Sequence, residues 1–90
     1  MLAILNGSAI DTKEALHSEL IRALPLPEWY GKNLDALYDC LTDLSDPTEI
    51  LLLHAEAMER ALGDYALRFE LVLRDAAEEN RRLTVTRIAN

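Results

Sequence analysis

The residues with the clearest chemical potential are three aspartates at helical spacing. Asp35, Asp39 and Asp43 follow one another at intervals of four residues, so a helix would place all three carboxylates on one face. Like charges at this spacing repel by roughly a few tenths of a kcal/mol per pair, and aspartate is a poor helix former. The row is therefore either a solvated acidic face or a set of carboxylates directed at a basic partner.

Aromatic residues flank this row. Trp29 and Tyr30 precede the predicted helix, and Tyr38 lies beside the aspartates. Aromatic side chains next to charge are typical of the anchors of protein interfaces, whereas solubility alone does not require them. The alternative is that these rings pack the loop onto the core, and for Tyr30 we expect this second arrangement.

The same residues give no indication of catalysis. General acid–base chemistry needs carboxyl groups whose surroundings separate their pKa values, and three similar aspartates on one exposed face do not provide this. His17 and His54 lack neighbours at metal-ligand spacing, and Cys40 is more typical of a small buried apolar residue. We predict a protein without enzymatic activity, metal, cofactor or small-molecule substrate.

Charge and length narrow the class of partner. Ninety residues form one domain, 1–90, with a net charge of −7, and the stretch from Glu28 to Glu49 has six acids against one base. Such a field repels nucleic acid and anionic membranes and favours a cationic protein. The N-terminal segment lacks the basic start of a signal peptide, no apolar run could span a bilayer, and the cysteine is single. We expect a cytoplasmic protein.

Three apolar runs predict strands at 2–5, 50–53 and 83–88, the last rich in β-branched residues. Helical periodicity separates them, in the order β-αα-β-αα-β. Strands joined by helical crossovers pair in parallel, so we predict an α/β fold with a three-stranded parallel sheet and about four helices packed against it. The continuous apolar run at 50–53 predicts a strand covered on both faces.

The helix ends have recognisable signals. Asp11 with Glu14 predicts a capping box at the start of the first helix, and Asn33 can cap the helix that carries the aspartates. A short helix at 55–62 should end at Gly63, after which Asp64 can cap a longer one.

The segment Leu26–Thr42, LPEWYGKNLDALYDCLT, resembles the signature of the barstar family of ribonuclease inhibitors. The resemblance implies a one-to-one complex in which the central helix and the loop before it enter the cleft of a basic, secreted, barnase-type ribonuclease. The residue matching Asp39 occupies a phosphate site there, and the one matching Asp35 pairs with other cations. The protein would protect the producing cell from its own nuclease.

The resemblance also implies further contact positions, which match Trp29, Asn33, Leu34, Tyr38, Thr42 and, late in the long helix, Asp75. Trp29 and Tyr38 depart from the family pattern but keep an aromatic ring. Asp43-Leu44 replaces a Gly-Trp pair at the far end of the expected interface. The family has a cis prolyl bond before this strand, which leaves a cis Asp46–Pro47 bond open.

Two other functions are compatible with parts of this pattern. The same fold and acidic face could serve as an immunity protein against a different basic toxin, because fold does not fix function. A small acidic chain could also be an acyl carrier, although carriers are all-helical and need an Asp-Ser-Leu attachment site, whereas Ser45 lies in Leu44-Ser45-Asp46.

Overall fold

The computed structural model describes residues 1–89 and confirms the predicted fold class. Strands β1, β2 and β3 form one parallel sheet in that order, and four α-helices and a 3-10 turn connect them. The strands are Leu2–Asn6, Thr48–Leu53 and Leu83–Arg87; the helices are α1 Lys13–Ala23, α2 Leu34–Thr42, α3 Ala55–Leu62 and α4 Asp64–Glu79; the turn is Gly7–Ala9. This sheet is inconsistent with an all-helical carrier. Within the described residues, no helix has the length and apolar character that a bilayer span requires.

The helices cover one face of the sheet, and the second face is open. Side chains alternate along the strands, so Leu5, Ile50 and Leu52 are buried against the helices. On the opposite face Leu2 and Ile4 are 53% and 44% exposed, and the neighbouring positions 51 and 53 of β2 are half-buried. The prediction that β2 is covered on both faces is therefore wrong, because an apolar run does not reveal on which side helices pack.

Side-chain caps define where the first two helices begin. Thr12 rather than Asp11 caps α1, since the Thr12 hydroxyl accepts a hydrogen bond from the Ala15 amide at 3.0 Å. The predicted capping box is thus wrong, and Glu14 lies in the first turn. The predicted cap of α2 is confirmed: Asn33 Oδ1 accepts from the Ala36 amide at 2.7 Å.

The second half of the chain differs from the prediction at one boundary. Gly63 ends α3 as expected, with a positive φ of 56° that glycine adopts without steric cost. Asp64, however, is the first residue of α4 and provides no side-chain cap. All peptide bonds in residues 1–89 are trans, including Asp46–Pro47.

A buried amide holds the C-terminal end of α2. Asn80, only 5% exposed, donates through Nδ2 to the carbonyl oxygens of Leu41 at 2.9 Å and Leu44 at 3.0 Å. Its Oδ1 accepts from the Arg82 amide at 3.0 Å. The C-terminal end of a helix has carbonyls without intrahelical partners, and Asn80 donates to one carbonyl in the last turn of α2 and to one just beyond it. With Asn33 at the other end, both termini of α2 are fixed by asparagine side chains.

We predict that Asn80→Ala lowers the free energy of unfolding by about 2 kcal/mol, because it removes the two amide hydrogen bonds to the Leu41 and Leu44 carbonyls at the buried C-terminal end of α2. Urea denaturation checks this, with Arg81→Ala as control, since the neighbouring Arg81 is exposed and its loss should cost less than about 0.5 kcal/mol. Equal losses in the two variants would contradict a clamping role for Asn80.

Candidate functional site

The three aspartates lie together on the solvent side of α2, as predicted. Asp35, Asp39 and Asp43 are all exposed, and none of their carboxylates forms a hydrogen bond or ion pair with another described residue. Asp35 is in the first turn, where the helix dipole favours a negative charge, whereas Asp43 is the C-cap, where it does not. The row therefore carries mutual repulsion that nothing within residues 1–89 neutralises.

Helix α4 adds two carboxylates beside this row. Burial raises the pKa of the Tyr38 phenol, and the nearby carboxylates of Glu79, Asp75 and Asp39 raise it further. The phenol of Tyr38, which belongs to α2, therefore has acids from both α2 and α4 near it. Sequence reasoning identified Asp75 but missed Glu79, although its spacing of four residues from Asp75 places both on one side of α4. We call the five acids the acidic surface: Asp35, Asp39, Asp43, Asp75 and Glu79.

The loop before α2 buries one aromatic ring and exposes the other. Tyr30 is 6% exposed, as expected for a core residue, and Trp29 is 81% exposed. The Tyr30 hydroxyl lies 2.6 Å from His17 Nδ1, and His17 Nε2 lies 2.9 Å from the Tyr65 hydroxyl. Burial lowers the pKa of His17, so its neutral ring donates one of these hydrogen bonds and accepts the other at pH 7. Tyr30 therefore fixes the loop while Trp29 projects into solvent.

The turn into α2 is closely packed. Lys32 has a left-handed backbone with φ of 54°, and Asn33 Nδ2 donates to the Gly31 carbonyl at 3.3 Å. A Cβ at Gly31 would lie 3.2 Å from Asn33 Nδ2 and 3.3 Å from Ala36 Cβ, closer than most side-chain contacts. This arrangement holds the loop against the first turn of α2.

The remaining predicted positions flank the acidic surface. Leu34 is half-buried at the start of α2. The Thr42 hydroxyl donates to the Tyr38 carbonyl at 2.9 Å and the Asp39 carbonyl at 3.2 Å, so it is satisfied within the helix. Asn33 likewise uses its amide for the cap and the turn. These three side chains contribute shape and order to the surface rather than charge.

An open groove of about 1410 Å³ is lined by residues of this loop, of α2 and of the segment 43–47. Trp29, Asp39 and Asp43 are among its lining residues, as is the half-buried Cys40. Burial, followed by the charges of Asp39 and Asp43, raises the pKa of the Cys40 thiol, which keeps it protonated at pH 7. Within residues 1–89, no three His, Cys, Asp or Glu side chains form a group suited to a metal ion.

Chemically, this surface can accept hydrogen bonds from several cationic groups at once. The carboxylates of Asp35, Asp39 and Asp43 form no ion pair within residues 1–89, and α2 beneath them is fixed at both ends. Arginine binds a carboxylate through two parallel N–H···O bonds, which makes a basic protein surface a suitable partner. An exposed tryptophan next to these charges adds an apolar anchor.

Comparison with known proteins identifies relatives of this chain. A Bacillus subtilis (strain 168) protein named "Putative ribonuclease inhibitor YrdF" is 40% identical over 77 residues, which cover 84% of this chain and 85% of the relative. The family model described as Barstar (barnase inhibitor) matches residues 1–88, which is nearly the whole chain. The chain therefore belongs to the barstar family.

Proposed function

We propose that this protein inhibits a basic, secreted ribonuclease of the barnase type by placing α2 and the loop before it in the active-site cleft, as a one-to-one complex. The observation that carries this proposal is the row of exposed carboxylates of Asp35, Asp39 and Asp43, which have no ion-pair partner in the described part of the chain, on a helix fixed at both ends. Family membership and the name of the relative support a ribonuclease as the target.

Asp39 has the central role in this proposal. It is the middle member of the aspartate row and lines the groove beside Trp29. A carboxylate resembles two oxygens of a phosphate group, and arginine binds either one bidentately. Asp39 would therefore occupy a phosphate-binding site of the nuclease, while Asp35 pairs with other cations of the cleft. RNA and the inhibitor then compete for the same cationic groups.

The residues around these charges provide the rest of the interface. Trp29 and Tyr38 offer aromatic surface that excludes water from the ion pairs, an arrangement typical of the energetic centres of interfaces. Asn33, Leu34 and Thr42 border the same surface. Asp43, Asp75 and Glu79 extend the negative charge to its rim, where charges mainly accelerate association.

Long-range electrostatics favours the same partner. With a net charge of −7, the protein attracts a cationic nuclease and repels RNA itself. Opposite net charges accelerate encounter and make it sensitive to salt. We propose that this rapid capture takes place in the cytoplasm of the producing cell, where it would protect cellular RNA before the nuclease is exported.

We predict that Asp39→Ala weakens inhibition of a barnase-type ribonuclease by at least ~30-fold, because it leaves the cations of the cleft without a partner. Glu78→Ala is the control: it removes the same charge from an exposed position outside the acidic surface. RNA cleavage at graded inhibitor concentrations gives both inhibition constants. Thermal unfolding should show little loss of stability for Asp39→Ala, since the change relieves repulsion on α2.

Equal inhibition by the Asp39 and Glu78 variants would exclude α2 as the inhibitory helix. If neither the wild type nor the variants reduced cleavage, the proposed target would be wrong, and a different basic toxin would be the partner to seek. A large loss of stability in Asp39→Ala would instead assign Asp39 a structural role.

Helix α4 provides two neighbouring glutamates, Glu78 and Glu79, with which the role of charge at the rim of the acidic surface can be tested. We predict that Glu79→Ala slows association with the nuclease by up to ~10-fold at low salt, since Glu79 lies near Tyr38 on the acidic surface. Glu78→Ala should change this rate less, although both variants lose one carboxylate at neighbouring exposed positions. Stopped-flow association rates at low and high salt check the prediction, which equal rates for the two variants would contradict.

A further inference from the structure

The solvent side of α4 carries an apolar pair flanked by opposite charges. Asp64, Leu67, Leu71 and Arg74 are spaced by three, four and three residues, so they form one stripe along the helix. All four are exposed, with Leu67 at 56% and Leu71 at 44%, and the stripe lies opposite the buried Phe69. We call these four residues the α4 stripe.

Nothing in the described part of the chain occupies this stripe. Asp64 forms no ion pair within residues 1–89, and the only ionic contact of Arg74 is with Asp75 at 4.0 Å, between side chains that are 70% and 49% exposed. Such an exposed contact is weak and leaves the guanidinium able to pair elsewhere. Leu67 and Leu71 line a shallow depression of about 450 Å³ together with Asp64 and Arg68.

The order of the four residues makes the stripe complementary to itself. When two α4 helices meet antiparallel about a twofold axis at the level of residue 69, Leu67 faces the partner's Leu71. Asp64 lies three residues before Leu67, and Arg74 three residues after Leu71. The same alignment therefore places Asp64 against the partner's Arg74 and Arg74 against the partner's Asp64, with the leucines between the two ion pairs.

The distribution of charge also favours a second copy of this protein as the partner that covers the α4 stripe. Two molecules with a net charge of −7 repel each other, and the acidic surface cannot meet its own copy. The α4 stripe is different because its one acid and one base leave it without net charge, and the antiparallel alignment pairs each with its opposite. The antiparallel arrangement also sets the two helix dipoles in opposition, which is favourable.

We propose that this protein forms a reversible homodimer through the α4 stripe, with the two α4 helices antiparallel. A contact between two helices of 16 residues is smaller than the roughly 800 Å² per partner of a standard stable interface, so the dimer is weak and depends on concentration. None of the four stripe residues belongs to the acidic surface, so the inference does not rest on the proposed inhibition.

Sedimentation equilibrium of the full chain, from about 10 µM to 1 mM, tests this directly, because these concentrations span the range of weak association. For the wild type we expect the molar mass to rise with concentration from 10.1 kDa towards twice that value. Leu67→Glu combined with Leu71→Glu should abolish the rise. A monomer at every concentration of the wild type would overturn the proposal.

Charge reversal distinguishes this interface from any other. Either substitution alone, Asp64→Arg or Arg74→Asp, places like charges opposite one another at two sites of the dimer. Each should raise the dissociation constant of the dimer about 10-fold or more. Combined in one chain, they exchange the two charges and should restore the wild-type constant to within about 3-fold. Arg81→Asp is the control for net charge, because it makes the same change as Arg74→Asp at an exposed site outside the stripe.

The combined variant also guards against misfolding, since it contains both substitutions and is expected to dimerise. Circular dichroism of each variant confirms that α4 is intact. Failure of the combined variant to dimerise while folded, or an effect of Arg81→Asp equal to that of Arg74→Asp, would overturn the antiparallel α4 interface.

Discussion

The structure depends on the restraint of α2 at both ends. This helix has only nine residues, and its outer side carries carboxylates that repel one another and form no ion pair within residues 1–89. An isolated helix of that length would be unstable in water. Here Asn33 caps its start, Asn80 donates to the Leu41 and Leu44 carbonyls at its C-terminal end, and Leu37 and Leu41 are fully buried beneath it. Packing and capping thus offset repulsion that the helix could not tolerate alone.

This restraint links the fold to the proposed function. Charges that are held in place before the partner arrives lose little conformational freedom on binding, so more of their interaction energy contributes to affinity. The loop follows the same principle, because Tyr30 is fixed through His17 to Tyr65 on α4 while Trp29 remains exposed. Repulsion that is unfavourable in the free protein would be relieved when cations enter the site.

The sequence predicted the elements well and the contacts between them less well. Apolar runs identified three strands, and local chemistry identified Asn33 as a cap, because both signals act between near neighbours in the chain. Asn80 could not be predicted in this way, since its amide reaches Leu41, which is 39 residues away in sequence. Glu79 was missed for a related reason: its place beside Tyr38 depends on how α4 packs on α2. The open face of the sheet likewise reflects helix placement, which an apolar run in β2 does not encode.

The most direct test of the proposed inhibition is titration of this protein into a barnase-type ribonuclease while RNA cleavage is followed at low and high salt. We expect ribonuclease activity to fall linearly to zero at one equivalent at low salt, and association to slow as salt increases. Undiminished cleavage at several equivalents would contradict the assignment of a barnase-type nuclease as the target. Inhibition that did not respond to salt would contradict the electrostatic mechanism assigned to the acidic surface.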